Sequence, residues 1–235
     1  MPKARSKRYR KALENVDTKI SYPLKSAVEV LAKFPKAKFN ETVEVAFKLG
    51  VDPKQSDQMV RGTVPLPHGS GKTVKVLVFT RNGDAADAAR AAGAEFVGFE
   101  ELIKKCVEGW SDFDVAIATP EAMVEVRKLG KVLGPRGLMP NPKTGTVTDD
   151  TAKAVREVKA GRVEFKLDKA GNVHVPIGKA NFTPAQIAEN ARAVIEAVAK
   201  ARPASVKGSY LQSCTLSATM SPSVSVDVRE FLAAA

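Results

Sequence analysis

The middle of the chain alternates three times between a short apolar run and a helical segment. Residues 74–79 are rich in β-branched side chains, as strands are, and residues 84–92 form an alanine-rich helix. The order repeats as a strand at 94–97 with a helix at 100–108, then a strand at 114–118 with a helix from Pro120 to Gly130. Successive β-α units predict a parallel sheet with helices on its faces. In the second helix the expected inner face is Leu102, Ile103, Cys106 and Val107.

The two ends of the chain predict a different architecture. Residues 42–49 alternate strictly between apolar and polar side chains, which indicates a strand with one buried and one solvated face. The other expected elements are an amphipathic helix at 24–34, a hairpin of 162–167 and 172–177 around residues 168–171, a helix at 184–201 and a closing strand at 211–220. This combination is typical of an antiparallel α+β domain.

Clusters of Pro and Gly at residues 64–71 and near Gly161 mark the expected domain boundaries. They predict a discontinuous α+β domain of residues 1–68 and 160–235, into which residues 69–159 are inserted as an α/β three-layer, Rossmann-like domain. Three consecutive small units are the alternative organisation.

The formal net charge of +11 is unevenly distributed. Residues 1–67 hold 14 Lys and Arg against 7 Asp and Glu, residues 161–235 hold 9 against 6, and residues 68–160 hold 14 against 13. Nucleic acid is therefore the first candidate partner of the two ends, because Lys and Arg release counterions from phosphates. An anionic membrane surface and a merely solubilising charge are the alternatives.

The sequence indicates a cytoplasmic protein without a membrane partner. Cys106 and Cys214 are too few and too far apart for a disulfide framework. No apolar run approaches the length of a membrane span, and residues 1–11 lack the apolar core of a secretory signal.

No reaction centre can be assembled from the motifs. Residues 69–73 resemble the end of a phosphate-binding loop, but Leu66 stands where that loop needs Gly, and the run precedes a strand instead of following one. A hinge is the better interpretation of this run. The first β-α turn lacks the glycines of a dinucleotide site, and His68 and His174 have no third ligand to form a metal centre. We expect no enzyme activity, cofactor, metal or small-molecule substrate; an enzyme with a nucleotide-binding α/β domain is the rival class.

The closing strand carries hydroxyls at every second position. Ser213, Thr215, Ser217 and Thr219 would form one face, and Cys214, Leu216, Ala218 and Met220 the other. Short hydroxyls on a flat surface suit bonds to ribose 2′-OH groups and phosphates across an RNA minor groove. An ordinary surface strand is the alternative.

A second basic feature lies in the middle of the chain. Between residues 127 and 143 no acidic residue occurs, and Gly and Pro predict an irregular loop at 130–142. The functional interpretation is a second RNA contact through phosphates, and the alternative is a solvated loop balanced by acids elsewhere. The basic residues are Arg127, Lys128, Lys131, Arg136 and Lys143.

Several segments together resemble the family of bacterial large-subunit ribosomal protein one, the protein of the mobile stalk beside the tRNA exit site. They are residues 39–45, 50–53, 60–69, 129–142 and 217–220. The resemblance implies that a domain built from both termini binds a junction in large-subunit rRNA, and that the inserted domain contacts exit-site tRNA. It also implies repression of the protein's own messenger. We expect no second copy of the chain as a partner. A general nucleic-acid chaperone is the remaining rival.

The resemblance also implies a set of rRNA-binding residues. One departure concerns Ser221, because the family usually has Gly there; its side chain could push RNA outward or add a contact. The residues carried over are Glu29, Lys38, Phe39, Thr42, Ser213, Thr219 and Met220, to which the hydroxyl pattern adds Thr215 and Ser217 and the position beside Met220 adds Ser221.

Overall fold

The alternation at residues 42–49 builds a central strand of the largest sheet. The structure, a computed structural model, describes residues 5–232 except the side chains of Lys143, Glu230 and Leu232. Strand β1 (Thr42–Leu49) has the predicted bounds. Its apolar residues Val43, Val45, Phe47 and Leu49 are buried, while the residues between them are partly or fully exposed. One face of this strand therefore lies against a core and the other is open.

The remaining elements follow in chain order. The other strands are β2 (Arg61–Pro65), β3 (Val76–Phe79), β4 (Phe96–Gly98), β5 (Val115–Ala118), β6 (Arg162–Lys166), β7 (Asn172–Lys179), β8 (Leu211–Ala218) and β9 (Val224–Val226). The helices are α1 (Lys7–Glu14), α2 (Leu24–Ala32), α3 (Gly83–Ala91), α4 (Glu100–Val107), α5 (Met123–Val126), α6 (Gly130–Leu133), α7 (Thr151–Lys159), α8 (Pro184–Lys200) and α9 (Arg229–Leu232). Short 3₁₀ helices occur at Ser56–Gln58, Arg127–Leu129 and Pro142–Thr144.

One compact unit combines the residues up to Gly71 with those from Val163 onward. Its sheet has the strand order β7-β1-β8-β9, and every pairing in it is antiparallel. The apolar residues of α2 and α8 share one buried cluster with the inner residues of this sheet. Helix α8 begins with a capping box in which Thr183 and Gln186 bond each other's backbone N–H groups. The predicted antiparallel α+β architecture is confirmed for this unit.

The hairpin predicted around residues 168–171 is wrong in its pairing. The turn itself forms, because Asp168 Oδ1 accepts hydrogen bonds from the N–H groups of Ala170 (2.8 Å) and Asn172 (2.6 Å). Beyond a single bridge the two strands part: β6 pairs with β2 in a separate two-stranded sheet, and β7 pairs with β1. The apolar residues of β7 nevertheless share one buried core with Phe165 of β6.

The second compact unit spans Lys72–Arg162 and contains the sheet β4-β3-β5. Both pairings are parallel, as the β-α alternation predicts. Leu77 and Phe79 of β3 join an apolar cluster with α4 and α5, whereas Val76 and Val78 join a second cluster with α3 and α7. Helix α7 has no counterpart among the predicted elements.

Two details of the second unit differ from expectation. Val107 is 61% exposed, so the inner face of α4 is formed by Leu102 and Cys106, with Ile103 half-buried. The third helix does not end at Gly130, which has the helical dihedrals φ −54° and ψ −34°. Glycine permits a left-handed helix end without enforcing one, and here Gly137 adopts that conformation (φ 72°).

Candidate nucleic-acid interface

The open face of the four-stranded sheet is a continuous polar surface. Neighbouring strands are in register, so Ala46 lies between His174 on one side and Thr215 on the other, with Ser225 beyond Thr215. All outward side chains are partly or fully exposed. They are Asn172, His174 and Pro176 on β7; Thr42, Glu44, Ala46 and Lys48 on β1; Ser213, Thr215 and Ser217 on β8; and Ser225 on β9. The predicted hydroxyl face of β8 is confirmed at positions 213, 215 and 217.

Thr219 lies in a turn beyond the end of β8 and is bound to the first residue of β1. Its N–H donates to Thr42 O (3.1 Å), its Oγ1 accepts the N–H of Thr42 (3.1 Å), and its hydroxyl is 3.3 Å from Thr42 O. The hydroxyl of Thr42 in turn accepts a bond from Lys179 Nζ at 2.8 Å. The two threonines and one lysine form a single network at this corner of the sheet.

Two large apolar side chains project at the same corner. The alternation of the closing strand predicts Met220 on its apolar face, but the strand ends at Ala218, the chain turns, and Met220 is 52% exposed. Phe39 is 54% exposed in the segment that leads into β1. Glu41, two residues after Phe39, is only 4% exposed and accepts a hydrogen bond from the N–H of Met220.

The hydroxyl of Ser221 is turned inward and bonds the protein backbone. The hydroxyl oxygen accepts the N–H of Ala218 (2.9 Å) and lies 2.9 Å from Pro222 O, to which it can donate. The N–H of Ser221 also bonds Ala218 O (3.0 Å). The Ser221 side chain therefore stabilises the turn through hydrogen bonds to its backbone.

Lys38 and Glu29, the remaining residues implied by the family resemblance, lie in different parts of the first unit. Lys38 is exposed in the same segment as Phe39, and the nearby Lys36 Nζ bonds Ala180 O (3.2 Å). Glu29 instead lies on α2, in a groove lined by Lys25, Ala188 and Glu189 of the helical side. The structure does not bring Glu29 together with the open face.

The basic segment of the second unit is more ordered than predicted. Residues 123–133 form an uninterrupted helical run through α5, a 3₁₀ turn and α6, so the expected irregular loop starts only after Leu133. Arg127, Lys131 and Arg136 are exposed. Lys128 is compensated by Glu125 at 2.5 Å, an acid just outside the stretch, and this bond lowers the pKa of Glu125. The side chain of Lys143 lies outside the described residues.

Sequence reasoning missed two residues of this interface, Lys179 and Glu41. Each forms a hydrogen bond with a residue far away in sequence. Lys179 donates to Thr42, and Glu41 accepts from Met220. Only the alternation in β1 and β7 could have indicated further outward residues such as Lys48 and His174. No local pattern marks a buried carboxylate whose partner is contributed by the other end of the chain.

Burial raises the pKa of Cys214 to about 12, so its thiol stays protonated and is part of the core. Among the described residues no three His, Cys, Asp or Glu side chains are grouped so that they could hold a metal ion. Within the same residues, no helix combines the length and apolar character that crossing a membrane requires.

An open sheet face of hydroxyls and charges, bordered by lysines and two exposed apolar side chains, offers the groups with which proteins bind RNA. The sequence places the protein more narrowly. A model of the ribosomal protein L1p/L10e family matches residues 31–222, and the chain belongs to that family. It is therefore a ribosomal protein of the large subunit with an rRNA-binding role.

Proposed function

We propose that the chain binds a folded junction of large-subunit rRNA with the corner of the sheet that carries Thr42, Thr219 and Met220, and with the open face beside it. The observation that carries this proposal is the concentration, at one corner, of residues from both ends of the chain. The two ends also hold nearly all of the excess positive charge. A surface of this kind can recognise the shape of an RNA as well as its charge.

The side chains at this corner offer three kinds of contact. Lys36, Lys38 and Lys179 supply ammonium groups for phosphates. The hydroxyls of β8 suit ribose 2′-OH groups, which distinguish RNA from DNA. Phe39 and Met220 offer apolar surface on which unstacked bases can pack.

The finer part of the proposal concerns the stalk. In it the chain is a bacterial member of the family, forms the mobile stalk at the tRNA exit site and assists the release of deacylated tRNA. The exposed cations Arg127, Lys131 and Arg136 of the second unit support a contact with tRNA or with other stalk components. Lys128 contributes less, because Glu125 already neutralises it.

A further part is translational repression through the protein's own messenger. One surface would serve both RNAs, with the messenger bound more weakly so that rRNA sites fill first. A difference of about 1.4 kcal/mol is tenfold in affinity and is enough to order the two events. The residues that matter for rRNA should then matter equally for the messenger.

The test is a competition experiment at fixed salt with labelled messenger leader, unlabelled rRNA fragment and a random duplex of equal length. We expect the rRNA fragment to displace the leader and the random duplex to fail. Met220→Asp should abolish binding of both RNAs, whereas Arg136→Ala should leave both unchanged. Equal displacement by the random duplex would indicate a general nucleic-acid chaperone, and simultaneous binding of both RNAs would indicate separate sites.

A further inference from the structure

Glu41 is a buried acid at a surface that we propose to bind a polyanion. It is 4% exposed and lies between Phe39 and Thr42 in the chain. A carboxylate near phosphates is disfavoured by like-charge repulsion, and burying it costs hydration. Its position therefore requires a compensating interaction.

The compensation is provided by two backbone groups, one for each carboxylate oxygen. Oε2 accepts the N–H of Ala37 at 3.1 Å, and Oε1 accepts the N–H of Met220 at 3.1 Å. Hydrogen bonds to an ionised acceptor are stronger than those between neutral groups. A single side chain thus joins the segment that carries Lys38 and Phe39 to the turn that carries Thr219 and Met220.

The same turn is held from its other side. The inward hydroxyl of Ser221 bonds Ala218 N–H, and Thr219 is bonded to Thr42. Glu41 is the member of this set that reaches the segment before β1, because its other oxygen holds Ala37. Among these bonds, the position of Phe39 relative to Met220 therefore depends on Glu41.

We infer that Glu41 is a positioning residue of the RNA interface: it fixes Phe39 and Met220 at the spacing that the RNA requires, without touching the RNA itself. This inference rests on the proposed function. Glutamine cannot replace the acid, because its one acceptor oxygen serves one N–H while its amide NH₂ faces the other donor.

The experiment is a double-mutant cycle with the full chain and the rRNA fragment. Glu41→Gln should weaken binding about tenfold, the scale of one lost hydrogen bond to a charged group. Met220→Ala should then cost at least threefold less in the Glu41→Gln background than in the wild type, because Met220 is already misplaced there. Glu95→Gln is the matched control, since Glu95 also accepts a backbone N–H, that of Val76 at 2.7 Å, but in the second unit.

Thermal unfolding of each variant separates positioning from loss of fold. Wild-type affinity of Glu41→Gln, strictly additive effects of the two substitutions, or a loss explained by the unfolded fraction would each overturn the inference. If Glu41→Gln does not fold, Glu41→Asp is measured in the same cycle, because its shorter side chain keeps the charge but cannot span both donors. Failure of the wild-type chain to bind the rRNA fragment would instead overturn the proposed function.

Discussion

At the scale of single residues, several hydroxyls of the candidate interface are hydrogen-bonded by the protein itself. Thr219 is one of them, because its hydroxyl oxygen accepts the N–H of Thr42, the first residue of strand β1. We expect this hydroxyl to contribute to RNA binding both directly, through its remaining acceptor capacity, and indirectly, through the position of Thr42.

Thr219→Val should therefore weaken specific RNA binding by about 1–3 kcal/mol, the scale of leaving a polar partner unpaired. Because no charge is removed, the slope of log K against log salt should barely change. Lys38→Ala is the matched contrast. It should make the slope less steep by about 0.9 unit, as expected for one lost phosphate contact. Both are measured as dissociation constants across a salt series; wild-type affinity of Thr219→Val at every salt concentration would contradict this role.

Sequence pattern identified the residues of this interface that belong to a regular strand. The period of two in β8 predicts Ser213, Thr215 and Ser217 on the open face, and the structure confirms it. In the sequence, the alternation of hydroxyl and apolar residues continues through Thr219 and Met220. In the structure the strand ends at Ala218, and both residues lie in a turn. Periodicity cannot indicate where a strand stops when no Pro or Gly marks the end.

At the scale of elements, the bounds of strands and helices with strong periodicity were predicted closely. The pairing of the strands into sheets was not. Strand β1 has the predicted bounds, and helix α8 differs by one residue. The hairpin prediction was wrong because β6 pairs with β2 and β7 pairs with β1, although both strands contribute to the same core. Strand pairing depends on the arrangement of the whole unit, about which a local turn signal carries no information.

The turn between β6 and β7 provides a prediction about acid stability. Hydrogen bonds from the N–H groups of Asn172 and Ala170 hold the pKa of Asp168 below its ordinary value of 3.8. A depressed folded-state pKa means that the stabilisation is complete above the unfolded pKa and is lost as the pH falls through the folded one. Asp168→Asn should therefore lower the free energy of unfolding at pH 7, and the difference from wild type should shrink below about pH 4.

Urea unfolding at pH 7, 4 and 3 measures this difference. Asp57→Asn, which changes an exposed acid of the same unit, serves as control and should show a smaller effect. A gap between wild type and Asp168→Asn that stays constant across the series would contradict the assignment.

At the scale of the whole molecule, the chain is divided into two units with separate cores. The first contains the candidate interface, and the second is formed by the continuous segment Lys72–Arg162. The uneven charge of the sequence pointed to the same division of roles. The roles themselves, rRNA for the first unit and tRNA for the second, remain our proposal.

Replacing Lys72–Arg162 by a short Gly/Ser linker should leave a folded protein that still binds the rRNA fragment, because the first unit keeps its own core and its basic residues. Circular dichroism with thermal unfolding checks the fold, and a binding titration checks the affinity, which should stay within about tenfold of the full chain. A well-folded variant without specific affinity would show that the second unit carries recognition.

The strand order β7-β1-β8-β9 also has a consequence for the order of events during synthesis. Strand β1 is translated early, but both of its neighbours in the sheet are translated late. The hydrogen bond between Thr42 and Thr219 can form only after Thr219 has been synthesised. The segment Lys72–Arg162 can complete its own core on the nascent chain before β7 and β8 exist. In our proposal the RNA-binding surface is therefore incomplete until β7 and β8 have been translated, and a growing chain would not compete with finished protein for the messenger.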